Sequence, residues 1–169
     1  MRKILFAFVL IMVFTGCSKA VPQPQSIAEV YKKDFCTQVS AVCAEESYKM
    51  EMSKNGISIS FVATEPEELA GLSIELCGEH AKITFKEMQA EIDTGNLLEK
   101  APFLLLQKLF KELSSADGFV LSTDGDELLA QGKDFFAVLS KEKLTPENAV
   151  FSEYEIEFEF SDFKFSSAG

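Results

Sequence analysis

Between residues 101 and 113 the chain reads Ala-Pro-Phe-Leu-Leu-Leu-Gln-Lys-Leu-Phe-Lys-Glu-Leu, and no other stretch restricts the fold as much. The spacing predicts a helix. Pro102 stands in the first turn, where its missing N–H leaves no intrahelical bond unmade, and Ser114, Ser115 and Gly118 supply an end. The polar stripe is narrow, formed by Gln107, Lys108, Lys111 and Glu112. Phe103, Leu105, Leu106, Leu109, Phe110 and Leu113 cover the rest, with Leu104 beside the stripe. A helix resting on a flat sheet needs an apolar arc of only about 100°. This arc is much wider, so the helix has to be surrounded.

On both sides of the helix the apolar period falls to two, the period of strands with one buried face. Before it, Ser26–Asp34 predicts a short helix with Ser26 as N-cap, Glu29 three residues on, and Ile27, Val30 and Tyr31 on one side. Phe35–Val42 predicts a first strand. Tyr48–Met52 alternates into Lys54-Asn55-Gly56, and Asn-Gly between alternating runs signals a hairpin whose return strand is Ile57–Val62. A second hairpin pairs Leu72–Leu76 with Ile83–Phe85 through a turn at Gly78-Glu79-His80. After the helix, Phe119–Ser122 and Leu128–Ala130 flank Asp124-Gly125, and Gly132-Lys133 turns into Phe135–Leu139. From Val150 to Phe160 the pattern predicts one long half-buried strand, with Val150, Ser152, Tyr154, Ile156, Phe158 and Phe160 inward and Glu153, Glu155, Glu157 and Glu159 outward. Phe163 and Phe165 fall in the opposite phase, which predicts a bulge or bend near Ser161-Asp162. The fold class is therefore α+β and mostly β: a strongly curved antiparallel sheet of about ten strands, an unclosed β-barrel, wrapped around one main helix.

The N-terminus fixes an address. Met1 to Cys17 read MRKILFAFVLIMVFTGC, two positive charges followed by an apolar run of 11 residues from Ile4 to Phe14. A membrane span needs about 20 apolar residues, so this is a secretory signal. Phe14-Thr15-Gly16-Cys17 resembles the lipobox of bacterial lipoproteins, which implies cleavage after residue 16 and a diacylglyceryl group on the Cys17 sulfur. Two acyl chains anchor stably where one binds only marginally. Residues 17–25, with two prolines and hardly any large apolar side chain, then form a flexible tether, whose eight residues beyond Cys17 reach at most ~25 to 29 Å. Residues 26–169 are the single folded domain, held on the extracytoplasmic side of the cell membrane. Ser18 in place of Asp favours the outer membrane where the host has two.

Composition removes whole classes of function. The formal net charge is −11, and it becomes more negative when Arg2 and Lys3 are set aside with the signal segment. Arg2 is the only arginine, so the mature chain has no guanidinium to clamp a phosphate, and nucleic acid is excluded as a partner. Cys36, Cys43 and Cys77 allow at most one internal disulfide. Cys77-Gly78-Glu79-His80 reads as a buried thiol and a turn histidine rather than a metal site, since nothing completes a ligand set. Asp124-Gly125-Asp126-Glu127 lacks the later ligands of a calcium loop and reads as a hairpin turn. With one His, no G-x-S-x-G, no glycine-rich phosphate loop and no H-E-x-x-H, no enzyme activity, catalytic residue, metal or cofactor is expected.

The order of hairpins, wide-faced helix and lipidated N-terminus, with Glu65–Leu72 linking the middle strands and Ile156–Phe163 near the end, resembles bacterial lipoproteins of the LolA and LppX/LprG-like group. The resemblance covers most of residues 35 to 165 as a pattern of elements. It implies an unclosed β-barrel with helices over its concave side and a hydrophobic cavity between them that holds acyl chains. The soluble periplasmic carrier of the group uses an Arg in its lid, which this mature chain lacks, so membrane-tethered binding is the nearer analogy. If the helix covers a cavity, Phe103, Leu106 and Phe110 from the helix and Phe135, Ile156 and Phe158 from the late strands are expected near it. The expectation is a monomeric, membrane-anchored lipoprotein with a lipid or other hydrophobic ligand. The other reading of the same 16 Phe residues is a closed core, which makes the domain a non-catalytic envelope interaction module without a ligand.

Overall fold

Strand follows strand in hairpins from residue 35, and what they build is one antiparallel sheet of eleven strands in the order β6-β5-β4-β3-β2-β1-β11-β10-β9-β8-β7. The computed structural model describes residues 21–44, 46–125 and 127–166. The signal segment, the lipobox with Cys17 and the start of the tether lie outside the described residues. The strands are β1 Phe35–Cys43, β2 Glu46–Asn55, β3 Ser58–Glu65, β4 Ser73–Cys77, β5 His80–Phe85, β6 Met88–Asp93, β7 Val120–Asp124, β8 Glu127–Gln131, β9 Phe136–Leu139, β10 Pro146–Phe151 and β11 Ile156–Phe165. Among the described residues two α-helices accompany them, α1 Pro24–Tyr31 and α2 Pro102–Leu113. No helix among the described residues is long and apolar enough to cross a membrane.

The first and last strands meet in the middle, β1 against β11, while β6 and β7, joined through residues 94–119, are the two edges. The connection between the edges therefore has to cross the sheet, and it carries α2 over the concave face. Leu105, Leu106, Leu109, Phe110 and Leu113 are buried there, facing alternate residues such as Phe35, Val39 and Ala41 of β1. The helix ends where foreseen, and Gly118 is required beyond it: a Cβ at that position would stand 2.3 Å from the Glu112 carbonyl oxygen.

Several expectations are corrected. The long strand from Val150 to Phe160 is a hairpin: β10 ends at Phe151, a short 3-10 turn covers Ser152–Tyr154, and Glu155 takes a left-handed conformation before β11. Ala149 and Phe151, not Val150, are buried in β10, because the bulkier Phe151 takes the inner face and reverses the phase before the corner. The hairpin loop at residues 55–57 is Gly56-Ile57, with Asn55 still paired to Ser58, so Ile57 is 82% exposed and the inner face of the return strand starts at Ile59. Its position is fixed by the Asp34 carboxylate, which accepts the Gly56 N–H at 2.7 Å. Helix α1 starts at Pro24, two residues before Ser26, because a first-turn proline follows Gln23. Strand β6 is additional to the expected set; only Ile92 is shielded, so it carries little periodic signal. The bend near Ser161-Asp162 is present: Asp162 has φ 52°, and the β1–β11 register slips between Cys36 and Gln38. Thr37, buried at that slip, donates its hydroxyl hydrogen bond to the Ser161 carbonyl at 2.9 Å.

Candidate functional site

An apolar hollow of about 310 Å³ lies at the N-terminal end of α2. Its floor is the concave face of three neighbouring strands, with Met50 on β2, Phe61 and Ala63 on β3, and Ile74 on β4. Alternation puts these side chains on one face, the same face that carries buried Met52, Ile59 and Leu76 further along. Pro102 and Phe103 close it from the helix, with the Phe61 and Phe103 rings 6.3 Å apart. Leu69 and Leu72 reach in from the β3–β4 link, and Cys43 and Tyr48 from the β1–β2 end. Its charged lining residues are Lys49 and Glu65, paired across β2 and β3 at 2.9 Å. The Tyr48 hydroxyl donates to the Glu46 carboxylate, and that bond raises the phenol above its ordinary range.

Towards the opposite end of the helix, the side facing α1, β1 and β11 is filled by aromatic rings. Phe110 packs on Phe35, Tyr31, Phe163 and Phe160 with ring centroids 4.7 to 6.2 Å apart. Phe163 and Phe165 reach this cluster because the bend at Asp162 turns them inward, Phe163 stacking on Phe35 at 4.8 Å. Tyr31 is buried among them and donates to the Leu144 carbonyl at 2.8 Å. Burial pushes its phenol well up. Nearby, Lys108 on the polar stripe pairs with Asp134 in the β8–β9 link, which raises the lysine and lowers the carboxyl.

The six side chains expected at a cavity are not brought together around one. Phe103 lines the hollow. Phe110 belongs to the aromatic cluster and borders a separate, mixed-polarity groove of about 670 Å³ that also carries Lys54, Lys108 and Lys111. Leu106, Phe135, Ile156 and Phe158 are 0 to 4% exposed in the closed core. Met50, Phe61, Leu72 and Ile74 are among the lining residues that the expected set lacks. The alternation of β2 to β4 marks them as inward-facing, but only the topology brings them under the start of α2.

The hollow offers area and little chemistry. Small-molecule pockets usually span about 300 to 1,000 Å³, so this one suits a single slender apolar group. Each buried methylene contributes about 0.8 kcal/mol. Cys77 is exposed, which corrects the expectation of a buried thiol; it faces His80 across the end of the β4–β5 hairpin. Among the described residues no three His, Cys, Asp or Glu side chains stand close enough to hold a metal ion, and Cys36, Cys43 and Cys77 are free thiols.

No family model matches the sequence, and no curated protein does. Solved structures match in fold. An uncharacterised conserved protein from Thermus thermophilus superposes with a TM-score of 0.55 at 9% identity, over 85% of this chain and 85% of that one. MucB superposes with a TM-score of 0.52 at 11% identity over 85% of this chain, which spans 57% of MucB. A LolA superfamily protein from Nitrosomonas europaea gives a TM-score of 0.43 at 12% identity, over 88% of this chain and 96% of that one. At 9% and 11% identity, the likeness to the Thermus thermophilus protein and to MucB is one of fold alone.

Proposed function

We propose that this chain is a membrane-anchored envelope lipoprotein, attached through a diacylglyceryl group on Cys17, that holds one apolar chain of a lipid or similar ligand in the hollow under the start of α2. The observation that supports it is the lining: Met50, Phe61, Leu72, Ile74 and Phe103 border about 310 Å³ of apolar space beside the sealed Leu106, Ile156 and Phe158. Residues 26–169 are the folded domain in this reading, and because α1 begins at Pro24, a soluble version should start at Val21. The domain is monomeric and non-catalytic.

Binding through apolar area alone should strengthen with chain length and respond little to headgroup or salt. Titration of the chain from Val21 onward with a fatty-acid series, by displacement of a fluorescent analogue, tests this. Saturable one-to-one binding that is lost in Ala63→Trp, which fills the hollow, supports the proposal; no saturable binding by the folded protein contradicts it. Anchoring has its own test. Cys17→Ala should leave unprocessed or mislocalised precursor, and a mature-sized variant still in the membrane fraction would contradict the lipobox reading.

A second reading is favoured by one specific observation. Leu106, Phe135, Ile156 and Phe158 are sealed, so most of the apolar surface that suggested a cavity is core. If the hollow holds nothing, the domain is an anchored interaction module without a ligand.

A further inference from the structure

We propose that the free edge of β6 docks an extended basic polypeptide segment, which joins the sheet as a further strand beside Met88–Asp93. Strand β6 ends the sheet on its side and pairs with β5 in unbroken register from His80↔Asp93 to Phe85↔Met88. Among the described residues no strand pairs with its other side, which presents a row of backbone N–H and C=O groups. Proteins ordinarily blunt such an edge with proline, a bulge or charged side chains, lysine above all, and the charges that β6 carries are acidic ones, which turn away like charge and not a basic segment. The sequence Met-Gln-Ala-Glu-Ile-Asp has no Pro or Lys, and the ladder has no bulge. Strand addition to an open edge takes its affinity from main-chain hydrogen bonds and its specificity from alternate side chains.

The two faces of β6 say what those side chains should be. Met88, Ala90 and Ile92 lie on the face that continues through Ile83 to Ile74, and Met88 is 67% exposed. On the other face Glu91 and Asp93 point out, with Lys82 standing between Glu75 and Glu91 in one cross-strand row. Among the described residues neither Glu91 nor Asp93 is in an ion pair; the Asp93 carboxylate accepts the Gly95 N–H at 2.9 Å. A segment alternating Lys or Arg with small apolar residues satisfies both faces at once, because directly opposed opposite charges stabilise strand pairs. A second copy of this chain fits less well, since two molecules of formal net charge −11 repel and would bring their acidic edges together. The proposal does not depend on what the hollow holds.

The test uses the full chain in phosphatidylcholine nanodiscs and a short labelled peptide alternating Lys and Val. Saturable binding is expected, at least about tenfold weaker for Glu91→Lys/Asp93→Lys and weakened by salt. Peptide N-methylated at alternate amides should not bind. Hydrogen exchange should show new protection at alternate amides of β6. No saturable binding, binding indifferent to the charge reversal, or protection confined to other strands would overturn the proposal. Protection of β6 that rises with protein concentration in the absence of peptide would also overturn it, assigning the edge to a second copy instead.

Discussion

The two ends of α2 are built from similar residues and end up in opposite states. Near its C-terminal end, Phe110 meets rings from α1, β1 and β11, which fill the space against those elements and leave a mixed-polarity groove only on the side of β3. At its start, Phe103 meets Phe61 alone among the aromatic rings, and a hollow of about 310 Å³ separates it from Met50 and Ile74. The apolar character of the helix does not decide between the two. What decides is how much other elements deliver to that end: α1 and the bend at Asp162 bring the rings of Tyr31, Phe163 and Phe165 to one, while the other has the short β3–β4 link with Leu69 and Leu72 and the β1–β2 end with Cys43 and Tyr48. The same helix thus seals an aromatic cluster near one end and leaves an apolar hollow at the other.

The comparison breaks most clearly under truncation. Phe110→Ala should cost about 3 to 5 kcal/mol, because it opens a cavity among rings that have no room to collapse, whereas Phe103→Ala should cost about 1 kcal/mol. Urea unfolding of the chain from Val21 onward checks both. Equal losses would show that the two ends are packed alike.

A smaller effect sharpens the same contrast. Lys108 and Asp134 join the polar stripe of α2 to the β8–β9 link. The Asp134 carboxyl is held below its ordinary value by the hydrogen bond from Lys108, so its contribution to stability is present above the ordinary carboxylate range and is lost as pH falls through the lowered value. Lys108 is raised by the same bond, so its contribution is present below the ordinary lysine range and is lost as pH rises through the raised value. The stability difference between wild type and Asp134→Asn should therefore be largest near neutral pH and vanish in strong acid. A difference independent of pH would mean that the pair contributes packing rather than charge.

How far the sequence carries this account differs by element. Helix α2 was legible almost to the residue, because Pro102 opens it and a broad apolar arc runs without interruption to Leu113. The bend at Asp162 was legible from the change of phase between Phe160 and Phe163. The corner at Ser152–Tyr154 was not, because Ser152 and Tyr154 keep a period of two through a turn that the backbone makes with Glu155. Edge strand β6 was missed, since a strand with little buried surface leaves no alternation to read. The candidate site was legible in only one residue, Phe103. Side chains from β2, β3 and β4 share the hollow with it across long stretches of sequence, and a list of apolar residues does not separate those that fill a core from those that line a space.

Met50 and Met52 stand two residues apart on the same strand and face, one lining the hollow and the other buried in the filled core at 1% exposure. Titrating ¹³C-methyl-methionine protein, from Val21 onward, with a medium-chain fatty acid reads both positions in one NMR spectrum. The account predicts a saturable shift of the Met50 methyl and a Met52 methyl that stays in place. Movement of Met52 as large as that of Met50, or no movement of Met50 at saturating ligand, would contradict it.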